Sequence, residues 1–204
     1  MLFDDTYKTI KSTSEGIFRD KGSKFIGYAY PVINEAEVKD LVAKLRAEHA
    51  KARHFCWALR LSPNRSIFKL NDDGEPSGTA GRPILNTLLS ADVTNVLVVV
   101  VRYFGGTLLG VPGLINAYKS ATIEALKTNE IITKTVNDIY QVNFDYLAMN
   151  DVMRIVKDEQ LQLIEQEFDT KCMLKFEVRK AKLNTVLGKL EKIEAIEIKY
   201  LYTI

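Results

Sequence analysis

Residues 96–101 read Val-Leu-Val-Val-Val-Val. Six consecutive apolar residues, mostly β-branched, favour a strand, and that strand has no polar face. It must lie centrally in a sheet covered on both sides, because either face left open would put a row of apolar side chains in water. The run is far short of the roughly 20 apolar residues a membrane-spanning helix needs. The N-terminal stretch MLFDDTYKTI shows no basic segment followed by an apolar one, so no leader is expected. A cytoplasmic protein without membrane contact is predicted.

Glycine and proline divide the chain of 204 residues. Ten of eleven glycines and all five prolines precede residue 114, and only Gly188 follows. Helical periodicity fades over TNEIITKTVND, which predicts a short linker near 130–137 and two domains, 1–132 and 137–204. There are 28 Lys and Arg against 26 Asp and Glu, a net charge of +2, so no bulk cationic field draws the whole molecule to nucleic acid and any anion recognition is local. Cys56 and Cys172 lie too far apart in sequence to suggest a disulfide framework, and a reduced compartment follows.

The second domain is legible from period. Tyr140, Val142 and Phe144 alternate with polar residues. Met149, Val152, Met153 and Val156 recur at helical spacing. A strand is predicted over Gln162 to Phe168. Another has Cys172, Leu174, Phe176 and Val178 on one face and Met173, Lys175, Glu177 and Arg179 on the other. Leu183, Val186, Leu187 and Leu190 form a second amphipathic helix, and Ile196 to Ile204 alternate again. The order β-α-β-β-α-β is that of a ferredoxin-like sandwich. Its open face should carry Gln141, Asn143, Lys175, Glu177, Arg179 and Lys199, without the aromatic residues of an RNA-stacking sheet.

The first domain reads as α+β. Strands are predicted at Tyr7–Ile10, over Ile17–Val32 as a hairpin turning near Lys21-Gly22, and at Arg53–Leu61, Ser66–Leu70 and Val96–Phe104. Asn34 and Glu37 suit a helix start, and further helices are predicted over Gly81–Leu89 and Leu114–Lys127.

Chemistry concentrates in DDGEPSGTAGRP at 72–83 and RYFGGTLLGVPG at 102–113. In the second, a buried strand runs into Arg102 and Tyr103, then Gly105, Gly106, Gly110 and Gly113 before a helix. Backbone amides at such a helix start beside glycines suit an anion, with Arg102 as a fixed charge; the same residues also suit a tight turn. Neither segment carries a GxGxxG or Gly-Lys-Ser/Thr nucleotide motif. Asp72, Asp73 and Glu75 could ligate Mg²⁺ or divide acid and base roles, or simply bond local amides. Gly78, Thr79 and Gly81 complete that segment. If the two segments meet, Arg82 and Arg102 would share a cleft with these carboxylates, or form a buried ionic clasp. His54 and Cys56 share a strand face but at roughly 6–7 Å, long for proton transfer. Ser77 does not fit a GxSxG elbow. With two histidines and no CxxC, no metal site and no cofactor are expected.

The segments ARHFCWA at 52–58, DDGEPSGTAGRPIL at 72–85 and VLVVVVRYFGGTLLGVPGLINAY at 96–118 resemble the YigZ family of bacterial proteins, relatives of the eukaryotic IMPACT proteins. The resemblance implies a first domain similar to RNase PH and to the second domain of ribosomal protein S-five, and a second similar to domain five of elongation factor G. Eukaryotic IMPACT proteins restrain the amino-acid-starvation kinase pathway by competing for its activator. They use an additional N-terminal module, and this sequence starts with the IMPACT-type domain, so that partner is not carried over. The expectation is a translation-linked, non-enzymatic protein. It would recognise RNA, the ribosome or a translation factor through a basic, glycine-lined cleft made of Asp72, Asp73, Glu75, Gly78, Thr79, Gly81, Arg82, Arg102, Tyr103, Gly105, Gly106, Gly110, Gly113 and His54. The alternative is a metal-assisted enzyme acting on a phosphorylated or nucleotide substrate through the 72–75 carboxylates.

Overall fold

The computed structural model describes residues 5–204. Residues 1–4, part of the expected first domain and of the stretch without a leader pattern, lie outside the described residues. The chain divides into two units, one of Tyr7–Lys134 and one of Thr135–Ile204 with Asp5 and Thr6.

In the larger unit, counting with it the boundary residues Thr6 and Thr135 that end its first and last strands, the elements are β1 (Thr6–Ile10), β2 (Ser14–Asp20), β3 (Ser23–Pro31), α1 (Glu37–Glu48), β4 (His54–Leu61), β5 (Ile67–Asn71), α2 (Gly81–Ser90), β6 (Val96–Tyr103), α3 (Gly110–Lys127) and β7 (Ile131–Thr135). Five strands form an antiparallel sheet in the order β2-β3-β6-β4-β5. The apolar run is its central strand, β6, and residues 96–101 are fully buried. Val96, Val98 and Val100 pack in one core with residues of α2 and α3. Leu97, Val99 and Val101 pack in a second, on the opposite face, with residues of α1. A strand apolar on both faces is thus satisfied by helices on both sides.

Close packing on the α3 side depends on two glycines. Gly16 of β2 and Gly27 of β3 stand opposite each other. A Cβ at Gly16 would fall 2.2 Å from the Ala125 amide nitrogen, and one at Gly27 would fall 2.5 Å from the Ala121 carbonyl oxygen. Helix backbone therefore rests on strand backbone, lined by the fully buried Ala117, Ala121 and Ala125.

Two local expectations change. α3 begins at Gly110 rather than Leu114. Pro112 is no obstacle in the first turn, where an amide has no intrahelical partner. The expected linker instead contains strand β7, paired with β1. Ile131, Ile132, Thr133 and Thr135 are β-branched, and their partner lies over a hundred residues earlier, beyond any local signal. At the start of α1, Asn34 and Glu37 exchange hydrogen bonds, Glu37 N–H donating to Asn34 Oδ1 at 3.2 Å and Asn34 N–H to Glu37 Oε1 at 3.1 Å.

The smaller unit contains β8 (Asn137–Asp145), α4 (Met149–Asp158), β9 (Gln162–Phe168), β10 (Lys171–Arg179), α5 (Leu183–Leu190) and β11 (Glu197–Thr203). Its antiparallel sheet has the order β11-β8-β10-β9, the ferredoxin-like arrangement. Val142, Phe144, Cys172, Leu174, Phe176 and Val178 pack against Val152, Ile155, Val186 and Leu190 of the helices. On the other face polar side chains pair among themselves, as in Asn143 with Glu197 at 3.1 Å and Lys175 with Glu165 at 3.8 Å. Arg179 is held by the buried Asp5 through two bonds of 2.6 and 2.8 Å. These bonds hold the Asp5 carboxyl below its usual value of 3.8 despite the opposing effect of burial. No helix among the described residues is long and apolar enough to cross a membrane.

Candidate binding site at the glycine-lined end of the sheet

The two glycine segments meet at one end of the five-stranded sheet. Glu75 of the first segment and Arg102 at the end of β6 form a buried ion pair of 2.5 Å, and the Tyr118 hydroxyl of α3 donates to the same carboxylate oxygen at 2.8 Å. Arg102 is therefore a clasp between segments rather than a charge facing a ligand. Its Nε is buried without an acceptor among the described residues, and its guanidinium lies 5.5 Å from the Phe25 ring and 5.6 Å from that of Phe104. The network continues to Cys56, whose Sγ lies 3.3 Å from the Tyr118 hydroxyl and 3.0 Å from the Asp72 carbonyl oxygen. Burial raises the thiol well above its ordinary range, and it does the same to the Tyr118 phenol. Neither side chain ionises as a nucleophile would have to.

The other carboxylates are equally engaged. Asp72 accepts hydrogen bonds from the amides of Gly78 at 2.9 Å, Ala80 at 3.1 Å and Gly81 at 2.8 Å, and so caps the start of α2 from outside the helix. Asp73 accepts from Arg46 and from the Phe55 amide, both at 2.6 Å. His54 donates from Nδ1 to the Asp73 carbonyl oxygen at 2.9 Å. Thr79 is buried and donates to the Pro76 carbonyl oxygen at 2.7 Å, and a Cβ on Gly81 would press on Asn71 at 3.1 Å. Asp72, Asp73 and Glu75 thus point to three different partners and do not converge on a common point for Mg²⁺.

The second segment stays open. Tyr103 is half-buried, and Gly105, Gly106 and Gly110 are exposed, with Gly113 half-buried inside the first turn of α3. Gly105 seats against the β2–β3 turn: a Cβ there would lie 2.0 Å from the Gly22 carbonyl carbon. Phe104 is 56% exposed and Leu108 83%, so the loop projects apolar side chains outward. Arg82, expected beside Arg102, lies instead on the outer face of α2, lining a groove with α3 in which Arg102 takes no part. α2 carries its side chain away from the sheet end, which a linear reading of GTAGRP does not reveal.

Residues outside the expected set contribute most of the free charge. Lys24 of β3 stands opposite Tyr103, and Arg19 of β2 stands opposite Lys24, so one row across three strands reads Arg19–Lys24–Tyr103. Lys21 in the turn and Arg53 before β4 are exposed nearby in the fold. The signal was available in the predicted hairpin: a turn at Lys21-Gly22 makes Arg19 and Lys24 cross-strand partners. Tyr118 and His49 had no such signal. His49 Nε2 bonds the Tyr28 hydroxyl at 2.9 Å and Nδ1 bonds that of Tyr103 at 2.8 Å, tying Tyr103 to the end of α1. Burial, with Glu15 and Glu48 adding, pushes the Tyr28 phenol up to about 12, so it remains protonated in this bridge.

A glycine-rich strand-to-helix end on a sheet covered from both sides, with a ferredoxin-like unit in the same chain, defines a two-unit α+β protein. A family model described as the Impact N-terminal domain matches residues 21–126. An IMPACT family member of Haemophilus influenzae is 35% identical over 156 residues, 76% of this chain and 76% of that protein. YvyE of Bacillus subtilis is 34% identical over 160 residues, 78% of this chain and 74% of its own. YigZ of Escherichia coli is 31% identical over 172 residues, 83% and 84%. A crystal structure of a hypothetical protein superposes with a TM-score of 0.74 at 28% identity, covering 97% of this chain and 98% of that one. The chain belongs to the IMPACT family.

Proposed function

We propose that this chain is a non-enzymatic, translation-linked binding protein whose larger unit recognises RNA, free or in the ribosome, at the glycine-lined end of its sheet. The family likeness supports the link to translation. The observation that carries the RNA reading is the row Arg19–Lys24–Tyr103 beside the Gly22–Gly105 contact. Arg19 and Lys24 have no acidic partner among the described residues, whereas Asp72, Asp73 and Glu75 are each bound elsewhere. Positive charge is therefore left uncompensated beside the half-buried Tyr103 ring, and the exposed Phe104, next in the chain and against Arg102, offers a second ring for base stacking on the loop. In this reading Gly105, Gly106, Gly110 and Gly113 let a phosphate backbone approach, Glu75 and Arg102 hold the loop, and His54 and Asp73 fix the neighbouring turn.

The test is fluorescence anisotropy with a labelled single-stranded RNA at several salt concentrations. Each phosphate contact contributes about 0.7 to the log–log salt slope for a single strand. Replacing Arg19 and Lys24 together by Ser should weaken binding and lower the slope by about 1.4, twice that contribution. An affinity indifferent to salt and to the double substitution would refute the proposal.

A further inference from the structure

α2 and α3, on the side of the sheet opposite α1, flank a groove of about 610 Å³. Along α3 it is lined by Ile115, Lys119, Ile123 and Leu126, spaced by three and four residues, one stripe of a helix. The stripe spans 12 residues from Ile115 to Leu126, about 16 Å at the helical rise. Ile115 is 39% exposed and Ile131, at the far end, 44%, so apolar surface is left open in a place shaped for a third helix.

Charge decides what fits. Arg82 and Lys119 line the groove and have no ion-pair partner among the described residues. The neighbouring acids are engaged: Glu124 holds Lys127 at 2.6 Å, Glu130 holds Lys11 at 2.6 Å, and Asp92 holds Arg65 at 3.0 Å. An apolar floor with two uncompensated cations complements a helix with an apolar stripe and acidic residues beside it. RNA fits poorly, because no aromatic side chain lines the groove and its floor would meet phosphates with aliphatic carbon.

We infer that the α2–α3 groove is a docking site for an acidic amphipathic helix of a partner protein, on a surface separate from the basic row. Arg82, at the start of α2, and Lys119 bind its carboxylates, while Ile115, Ile123 and Ile131 take its apolar stripe.

The probe is a labelled 14-residue amidated peptide with Leu at helical spacing and Glu flanking the apolar stripe, titrated into the full chain. A second peptide carries Lys in place of every Glu. The acidic peptide should bind at least tenfold more tightly than the basic one. Arg82→Glu with Lys119→Glu should reduce its affinity at least tenfold, as should Ile115→Asp. All three positions are exposed, and unchanged thermal unfolding confirms that the variants fold. Binding of RNA through Arg19 and Lys24 should be unaffected by these changes. Equal binding of the two peptides, no binding of the acidic one, or a loss of RNA affinity in the Arg82/Lys119 variant would each overturn the inference.

Discussion

Replacing Arg102 by Met removes a cation while retaining most of the apolar stem. It leaves the Glu75 side chain, 4% exposed, with the Tyr118 hydroxyl at 2.8 Å as its remaining partner at that oxygen. Breaking a buried pair from one side costs about 3–5 kcal/mol, because an uncompensated carboxylate stays inside. Against a typical domain stability of about 5–15 kcal/mol this is a large fraction. For a unit of this size it corresponds to a fall in Tm of roughly 10–20 °C. Trp57, the single tryptophan, lies on β4 in the larger unit, so its fluorescence during urea denaturation reports that unit by itself. This matters because a chain of two units need not unfold in one step. The companion variant Arg102→Met with Glu75→Gln removes the stranded charge and keeps an acceptor for Tyr118. It should recover at least half of the loss. A single variant within about 1 kcal/mol of the parent, or a double variant no more stable than the single, would falsify the clasp.

Three further outcomes can be checked. The Asp5 carboxyl is depressed by Arg179, so its contribution to the smaller unit is present above the unfolded value near 3.8 and lost as pH falls through the lower folded value. Arg179→Met should flatten that acid limb in circular dichroism melts, and an unchanged limb would assign the acid sensitivity elsewhere. Cys56 and Cys172 are both fully buried. A thiol reagent should titrate neither in the native chain and both in denaturant, and rapid native labelling of Cys56 would contradict its burial. Gly27→Ala places a Cβ 2.5 Å from the Ala121 carbonyl oxygen, a backbone atom that cannot rotate away. The cost should be about 1–3 kcal/mol by urea denaturation, and a neutral substitution would mean that α3 slides freely.

Features with a local period were readable, and features made by distant pairing were not. The strand at 96–101 announces its position by being apolar on both faces, and the elements of the smaller unit follow from alternation or helical spacing, apart from β9, whose segment Gln162–Phe168 has no clear alternation. β7 was missed because Ile131–Thr135 gains its identity from β1, at the other end of the unit's sequence. The candidate site divides the same way. The glycine segments stood out by composition, and their meeting was conceivable from Asp72–Glu75 and Arg102 alone. Which charges would face inward was not, since that depends on Tyr118 reaching Glu75 from 43 residues away. Arg82 and Arg102 look equivalent in a linear text, yet one ends a buried strand and the other begins the outer face of a helix. The free cations Arg19 and Lys24 follow from the hairpin register, yet neither lies in a stretch of unusual composition.

The glycine pair at 16 and 27 acts at a distance from where it sits. Its contact with Ala121 and Ala125 joins backbone to backbone, so no side chain is present to absorb a misfit. From Ala125 to Gly110 is 15 residues, about 22 Å of rigid helix. A tilt of roughly 5° about that contact would swing the far end by about 2 Å over this length. The two missing side chains are a fulcrum, and the glycine loop is the tip of the lever they steady.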